Sequence, residues 1–208
     1  MIIREYRPAD ESAVYEVCLR TGADGQDATS SYADPMLLGH AYAGAYLRLQ
    51  PEYAFVLDDT GLGGPHENGD VAGYVLGALD TREFERHCER EWWPALRTRY
   101  PDPVGVPPEA RTPDQRLIHM FHHPVSASAA LLDGHPSHLH IDLLPRAQGQ
   151  GFGRKLMDLL LTELAAAGSP GVHLGVSATN TGAIAFYRRL GFERLAGDPY
   201  TVFMGRRL

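Results

Sequence analysis

Apolar residues recur along this chain in two rhythms, and the rhythms alternate in a readable order. Alternating or continuous apolar runs at 2–6, 53–57, 71–79, 137–144, 172–176 and 201–204 read as strands. Between them, apolar positions fall at helical spacing. Val14, Val17 and Cys18 mark a helix beginning near Pro8 or Asp10 and ending near Arg20, with Asp10 as its N-cap. Leu37, Leu38, Tyr42 and Tyr46 mark one over 35–50; Phe84, Cys88, Trp92 and Leu96 another, ending near Tyr100. Leu156, Leu159, Leu160 and Leu164 mark a fourth, and 181–190 a fifth.

Punctuation agrees with this reading. Thr112-Pro113-Asp114-Gln115 predicts a capped helix start, running to about His123. Gly168-Ser169-Pro170 predicts a helix stop. Residues 61–65, rich in glycine, predict a long flexible hairpin connection, and 21–34 a polar loop. The element order is β-α-α-β-β, an interruption, then β-α-β-α-β-β. It predicts an α/β fold: a mixed central β-sheet with helices on both faces, in one domain spanning 1–208.

Composition narrows the partners. A net charge of -7 argues against a nucleic-acid or membrane-surface binder. No apolar run is long enough to span a membrane and residues 2–7 read as a strand rather than a leader, so a cytoplasmic location is expected. Cys18 and Cys88 read as small buried apolar residues. Monomer and homodimer both remain open.

The chemistry begins at residues 145–155, where a strand passes through a Gly-rich turn into a helix. Such a turn aims backbone N–H groups at a helix start, where the dipole favours anions. It also serves plain packing, so phosphate binding and a structural turn both stay open on shape alone. Gln148-x-x-Gly151-x-Gly153 resembles the acyl-CoA signature of the GCN5-related N-acetyltransferase (GNAT) superfamily. Residues 2–10 resemble that family's first strand and helix start, and 71–77 its third strand. Asn180-x-x-Ala183-x-x-Phe186-Tyr187-x-x-Leu190-Gly191-Phe192 resembles its C-terminal signature. Within it, the chain resembles the acetyltransferase-like domain of O-GlcNAcases and its free-standing bacterial relatives. Residues 81–137 depart from the family, which joins its third and fourth strands by a short turn. This insertion is expected to be helical and to cover the substrate side.

The resemblance implies acetyl-CoA as acyl donor and an amine as acceptor. It implies a CoA site on Leu143, Leu144, Gln148, Gly149, Gln150, Gly151, Phe152, Gly153, Arg154, Lys155, Asn180 and Tyr187. Lys155, the only lysine, is equally an ordinary solvated residue, and Asn180 equally an N-cap. Tyr187 is expected to act as general acid at the CoA sulfur.

On strand four, period two places His138, His140 and Asp142 on one face and Leu139, Ile141 and Leu143 on the other. Asp142 is the favoured pocket carboxylate, relayed by His140 or His138. Many relatives carry a Glu earlier on this strand, where this chain has Ser137 or Leu139. A non-catalytic acyl-CoA-binding module is therefore the competing expectation.

His119, His122, His123, His135, His138 and His140 raise the question of a metal. His119 and His123 are i, i+4, but no Glu completes an H-E-x-x-H pattern and no Cys is near, so no metal is expected. Tyr32, Asp34, Tyr46, Asp80, Trp92 and Trp93 are candidates for acceptor recognition.

Overall fold

The computed structural model describes residues 1–59 and 71–208; the expected connection at 61–65 lies outside them. Among these residues, seven strands form one sheet: β1 (Ile2–Glu5), β2 (Ala54–Asp58), β3 (Val71–Ala78), β4 (Ser137–Leu143), β5 (Gly171–Ser177), β6 (Glu193–Gly197) and β7 (Thr201–Arg207). Their spatial order is β1-β2-β3-β4-β5-β7-β6. Every neighbouring pair is antiparallel except β4 and β5. That parallel pair is joined only at Ser137↔Val172 and His138↔His173. Past His138 the two strands are unpaired, so the sheet opens along part of its centre.

Helices cover both faces. On one lie α1 (Glu11–Thr21), α2 (Leu37–Tyr42) and α3 (Gly44–Leu49), packed with Val56, Tyr74 and Leu76 of the sheet. On the other lie α8 (Phe152–Ala166) and α9 (Thr181–Arg189), packed with Leu57, Val75, Leu139 and Leu174. Between β3 and β4 come α4 (Thr81–His87), a π-helical turn (Cys88–Trp92), α5 (Trp93–Arg99), α6 (Pro113–His122) and α7 (Ala129–Leu132). Leu156, Leu160 and Leu164 of α8 are completely buried at helical spacing. Each such leucine contributes about 1.5–3 kcal/mol. Gly77 of β3 makes room for Leu160, whose methyl would lie 2.7 Å from an added Cβ.

Caps explain several boundaries. Thr112 is the N-cap of α6, as the sequence predicts, and Gln115 completes a capping box with it. The Asn180 side chain accepts the Ala183 N–H at 3.0 Å and caps α9. Helix α8 ends before Gly168, which is left-handed at φ +89°. Asp10 does precede α1, but its side chain caps nothing there. Its carboxylate accepts two bonds from the Arg4 guanidinium, at 2.7 and 2.8 Å, and one from Arg7 N–H. A charged pair of that geometry outcompetes a neutral cap.

Two helices differ from expectation. The helix predicted over 35–50 is broken at Ala43 (φ -122°, ψ -50°). The Trp92 ring and the Tyr15 hydroxyl crowd the next residue, Gly44, where a Cβ would come within 2.6 and 2.2 Å of them. The helix after β3 contains the π turn just before Pro94, which has no N–H to donate. The extra residue of that turn rotates α5 about its axis, so Trp93 rather than Trp92 is buried. Cys18 and Cys88 are free and buried, as expected.

Candidate active site

The opening between β4 and β5 widens into a cleft of about 1000 Å³. Its walls are β4 from His140 to Leu143, the turn from Gln148 to Arg154, β5 from Gly175 to Ser177, and α9 with the residue that caps it. Its floor comes from α1 and the loop after it, with Tyr32 and Tyr42.

At one end, the turn is built for an anion. Gly149 (φ +72°) and Gly151 (φ +80°) are both left-handed, and a Cβ on either would meet nothing within 4 Å. The backbone is thus bare toward the cleft. Gly151 is the N-cap of α8. The first N–H groups of that helix have no intrahelical partners. Gln148 anchors the turn: its Nε2 donates to the Leu143 carbonyl at 2.8 Å. Behind it, Gln150 donates to Arg146 O, and Arg146 pairs with Asp59 at 2.7 Å. Gly153 lies under the Phe186 ring, where a Cβ would sit 3.3 Å away.

Of the residues that the sequence suggests for CoA, Leu143, Gln148, Gly149, Gly151, Gly153, Arg154, Asn180 and Tyr187 line this cleft. Leu144 does not; its side chain is 3% exposed in the core on the α1 face. Gln150, Phe152 and Lys155 also lie outside the lining, with Lys155 Nζ 5.4 Å from the Phe152 ring. Successive side chains of a helix are about 100° apart, so Phe152 and Lys155 leave on other sides of α8 than Gly153 and Arg154, and Gln150, before the helix, is tied back to Arg146 O.

At the other end, Tyr187 of α9 is buried apart from its approach to the cleft. Its hydroxyl has no hydrogen-bond partner among the described residues. Burial, and then the nearby Asp142 charge, push its phenol well above the ordinary range. Asp142 accepts the Tyr74 hydroxyl at 2.6 Å and faces His140 Nε2 at 3.6 Å. His140 Nδ1 lies 3.3 Å from the same hydroxyl. Burial raises the Asp142 carboxyl, against the opposing pull of His140 and Tyr74. Strand register creates the cluster: Tyr74 pairs with Asp142, and Leu76 with His140. Sequence reasoning missed Tyr74. Its signal is one tyrosine in an apolar strand, meaningful only once that register is known.

His138 shares the face of His140 and Asp142, as period two requires, but it does not reach the cleft. It is enclosed by Tyr46, Phe84 and His173. Thr81 donates to Pro136 O, so His138 Nδ1 donates to Thr81 Oγ1 at 2.8 Å. Burial, then the neighbouring His173 and His140, depress it to about 3. It is a neutral packing histidine, unsuited to relay protons near neutrality. A depressed folded value means stability is full above the unfolded value of 6.5 and is lost as pH falls toward about 3. About 2–3 kcal/mol should be lost through this group between neutrality and pH ~4.5. Denaturant titrations at both pH values should show a shallower loss for His138→Gln; an unchanged slope would assign the acid lability elsewhere.

No residue between Thr81 and Pro136 lines the cleft. The insertion's apolar side is used up against α2 and α3. It buttresses residues behind the site. Asp114 accepts the Ala33 and Asp34 N–H groups, Tyr100 donates to Asp34, and Trp92 donates to His40 O. Among the acceptor candidates only Tyr32 therefore lines the cleft. Asp34 is held by Tyr100, Tyr46 packs on Phe84, Asp80 caps α4, and Trp93 stacks on Phe121. Unforeseen lining residues are Cys18, Thr21, Tyr42 and Asp24, the last accepting the Thr179 hydroxyl at 2.6 Å. Among the described residues, no helix is long and apolar enough to cross a membrane.

A mixed sheet split beside a bare helix start is the architecture of an acyl-group transferase of the acetyltransferase class. The chain belongs to the Acetyltransferase (GNAT) family, whose model matches residues 40–192. It is similar to the Protein O-GlcNAcase of Rattus norvegicus, 30% identical over 99% of this chain but only 22% of that protein. The chain thus spans about a fifth of these curated relatives. It is also similar to SsHAT, whose crystal structure superposes with a TM-score of 0.88 at 40% identity, covering 99% of this chain and 97% of that one. YncA from Salmonella typhimurium, a putative acetyltransferase solved with its cofactor acetyl-CoA, shares the fold at TM-score 0.53 and 18% identity, covering 100% of this chain and 93% of its own.

Proposed function

We propose that this chain moves the acetyl group of acetyl-CoA to an amine by direct transfer in a ternary complex. One observation carries the reading: a single cleft joins the bare anion-binding turn to Tyr187 and to the Asp142–His140–Tyr74 cluster. The turn from Gln148 to Arg154 would hold the diphosphate, and Asn180 with Leu143 would flank the arm leading to the thioester.

The residues then divide the proton work. Asp142, directly or through His140 Nε2, takes the proton of the attacking ammonium. The amine nitrogen bonds to the acetyl carbon and the carbon–sulfur bond breaks. Tyr187 keeps its proton until charge develops on sulfur and delivers it there, and the second proton shed by the nitrogen as the amide forms restores the phenol. Tyr74 touches no reactant; it is a positioning residue that orients Asp142. Direct transfer is favoured over an acyl-cysteine because burial raises the thiol of Cys18, the cysteine that lines the cleft. A protonated thiol is a poor nucleophile. The acidic groups Asp24 and Asp142 suit a cationic acceptor.

The alternative is a non-catalytic acetyl-CoA-binding module, and one observation favours it. Ser137 and Leu139 put no carboxylate early on β4: the Ser137 hydroxyl is buried against Leu79 O and Ser169, and Leu139 is core. Calorimetric titration with acetyl-CoA followed by an amine screen separates the readings. Both require saturable binding, and only the enzyme releases CoA in proportion to an added amine.

Asp142→Asn supplies a sharper test once an acceptor is in hand. A base works deprotonated, so the wild-type rate should climb with pH, above the ordinary carboxylate range because the Asp142 carboxyl is raised. The variant should lose that climb and fall by about 10²–10⁴ in kcat/KM. An unaltered profile would move the base to His140 alone.

A further inference from the structure

Away from the cleft, the insertion brings together three ligand-bearing side chains. His119 lies in the last turn of α6 and His123 is the residue that ends it, its N–H bonded to the His119 carbonyl; their ring centroids are 4.2 Å apart. Asp102 reaches them from the Pro-rich arm at 101–111, which runs from α5 to α6. One carboxylate oxygen is 3.2 Å from His119 Nδ1, and the other is 2.6 Å from His123 Nε2. All three ligand atoms lie within 4.8 Å of one another. We propose that Asp102, His119 and His123 bind a divalent transition-metal ion, zinc before others, that pins the Pro-rich arm to α6.

Donor chemistry selects the ion. Two imidazoles and one carboxylate form a set typical of zinc and its neighbours; magnesium and calcium prefer oxygen alone. Bond lengths of about 2.0–2.1 Å put tetrahedral ligands about 3.3 Å apart. The His119–Asp102 separation already matches. His123 needs to withdraw by less than about 1 Å, and its half-exposed side chain is free to do so.

The surroundings favour a cation as well. The Asp102 side chain is only 17% exposed, and its salt-bridge partners among the described residues are these two histidines. No arginine neutralises it there. The arm is held ready on its other side: His122 Nε2 donates to the Tyr100 carbonyl at 2.8 Å, two residues before Asp102. Exposure of 52% at His123 gives the ion an entry path and leaves a fourth position for water. Sequence spacing alone argues against a metal here, because the third ligand precedes the histidine pair by a whole arm rather than sitting within a motif.

The test uses the full chain with any affinity tag removed and metal stripped by a chelator. Calorimetry with zinc should show one equivalent bound, and cobalt should give the visible absorption of a tetrahedral site. Zinc at a hundredfold excess over its Kd should raise Tm by about 5–10 °C. Asp102→Asn and, separately, His123→Gln should each weaken zinc about tenfold or more. His135→Gln, outside the cluster, should bind as the wild type does. Circular dichroism confirms folding, and the exposed His123 variant keeps the test valid if Asp102→Asn does not fold. No stoichiometric zinc, equal binding by both cluster variants, or tighter binding of magnesium would overturn the proposal and leave a plain Asp–His clasp.

Discussion

Gly151→Glu is expected to abolish acetyl-CoA binding in a protein that still folds. Gly151 sits at φ +80° at the start of α8, with no atom within 4 Å of where its Cβ would be. A side chain there clashes with nothing and costs only the left-handed backbone, roughly 1–2 kcal/mol. A carboxylate at a helix start regains about 0.3–1 kcal/mol. The net cost is small beside a domain stability of about 5–15 kcal/mol. For an anionic ligand the change is severe, because the carboxylate occupies the donors and repels the diphosphate. Affinity should fall by a factor of about 100 or more, equivalent to about 2.7 kcal/mol. Gly168→Glu is the control. It has the same backbone sign (φ +89°) and the same empty surroundings, but lies beyond the far end of α8. Calorimetry on both, with a thermal melt of each, decides the matter. Unchanged affinity in the Gly151 variant would place the anion site elsewhere.

Tyr187→Phe should separate chemistry from binding. The phenol makes no hydrogen bond among the described residues, so its removal orphans no partner and should shift stability by less than about 1 kcal/mol. The phenyl ring keeps its contacts with Phe186 and Phe192. Acetyl-CoA affinity should therefore stay near wild type, while kcat falls by about 10² or more through loss of the proton donor. Equilibrium titration and amine-dependent CoA release read these separately. Wild-type turnover would remove Tyr187 as the acid; a matching fall in affinity would make it a binding residue instead.

These two positions are legible for different reasons. Gly151 is marked by local backbone demand, since a strand passing sharply into a helix needs a left-handed residue. Tyr187 is marked only through resemblance to the GNAT signature, because its surroundings are otherwise those of any buried helix face. The base system is half legible. Period two places His138, His140 and Asp142 on one face of β4. It says nothing of what each faces, and that divides them. His138 lies at the paired end of β4 and β5, packed against Tyr46, Phe84 and His173 and away from the cleft. Asp142 lies where the strands have separated.

What the sequence determined by itself is whatever rests on short-range rules. Strand and helix order, the N-caps at Thr112 and Asn180, the stop at Gly168 and the bare turn at Gly149–Gly151 all follow from periodicity, side-chain caps and backbone sterics within a few residues. What the tertiary structure decided depends on pairing between distant segments. The β3–β4 register set Tyr74 beside Asp142. The loss of pairing after His138 opened the cleft. Packing placed the insertion against α2 and α3, and the fold of its Pro-rich arm carried Asp102 to His119 and His123. Local propensity has no term for any of these, because each is a contact whose free energy exists only once the whole sheet has formed.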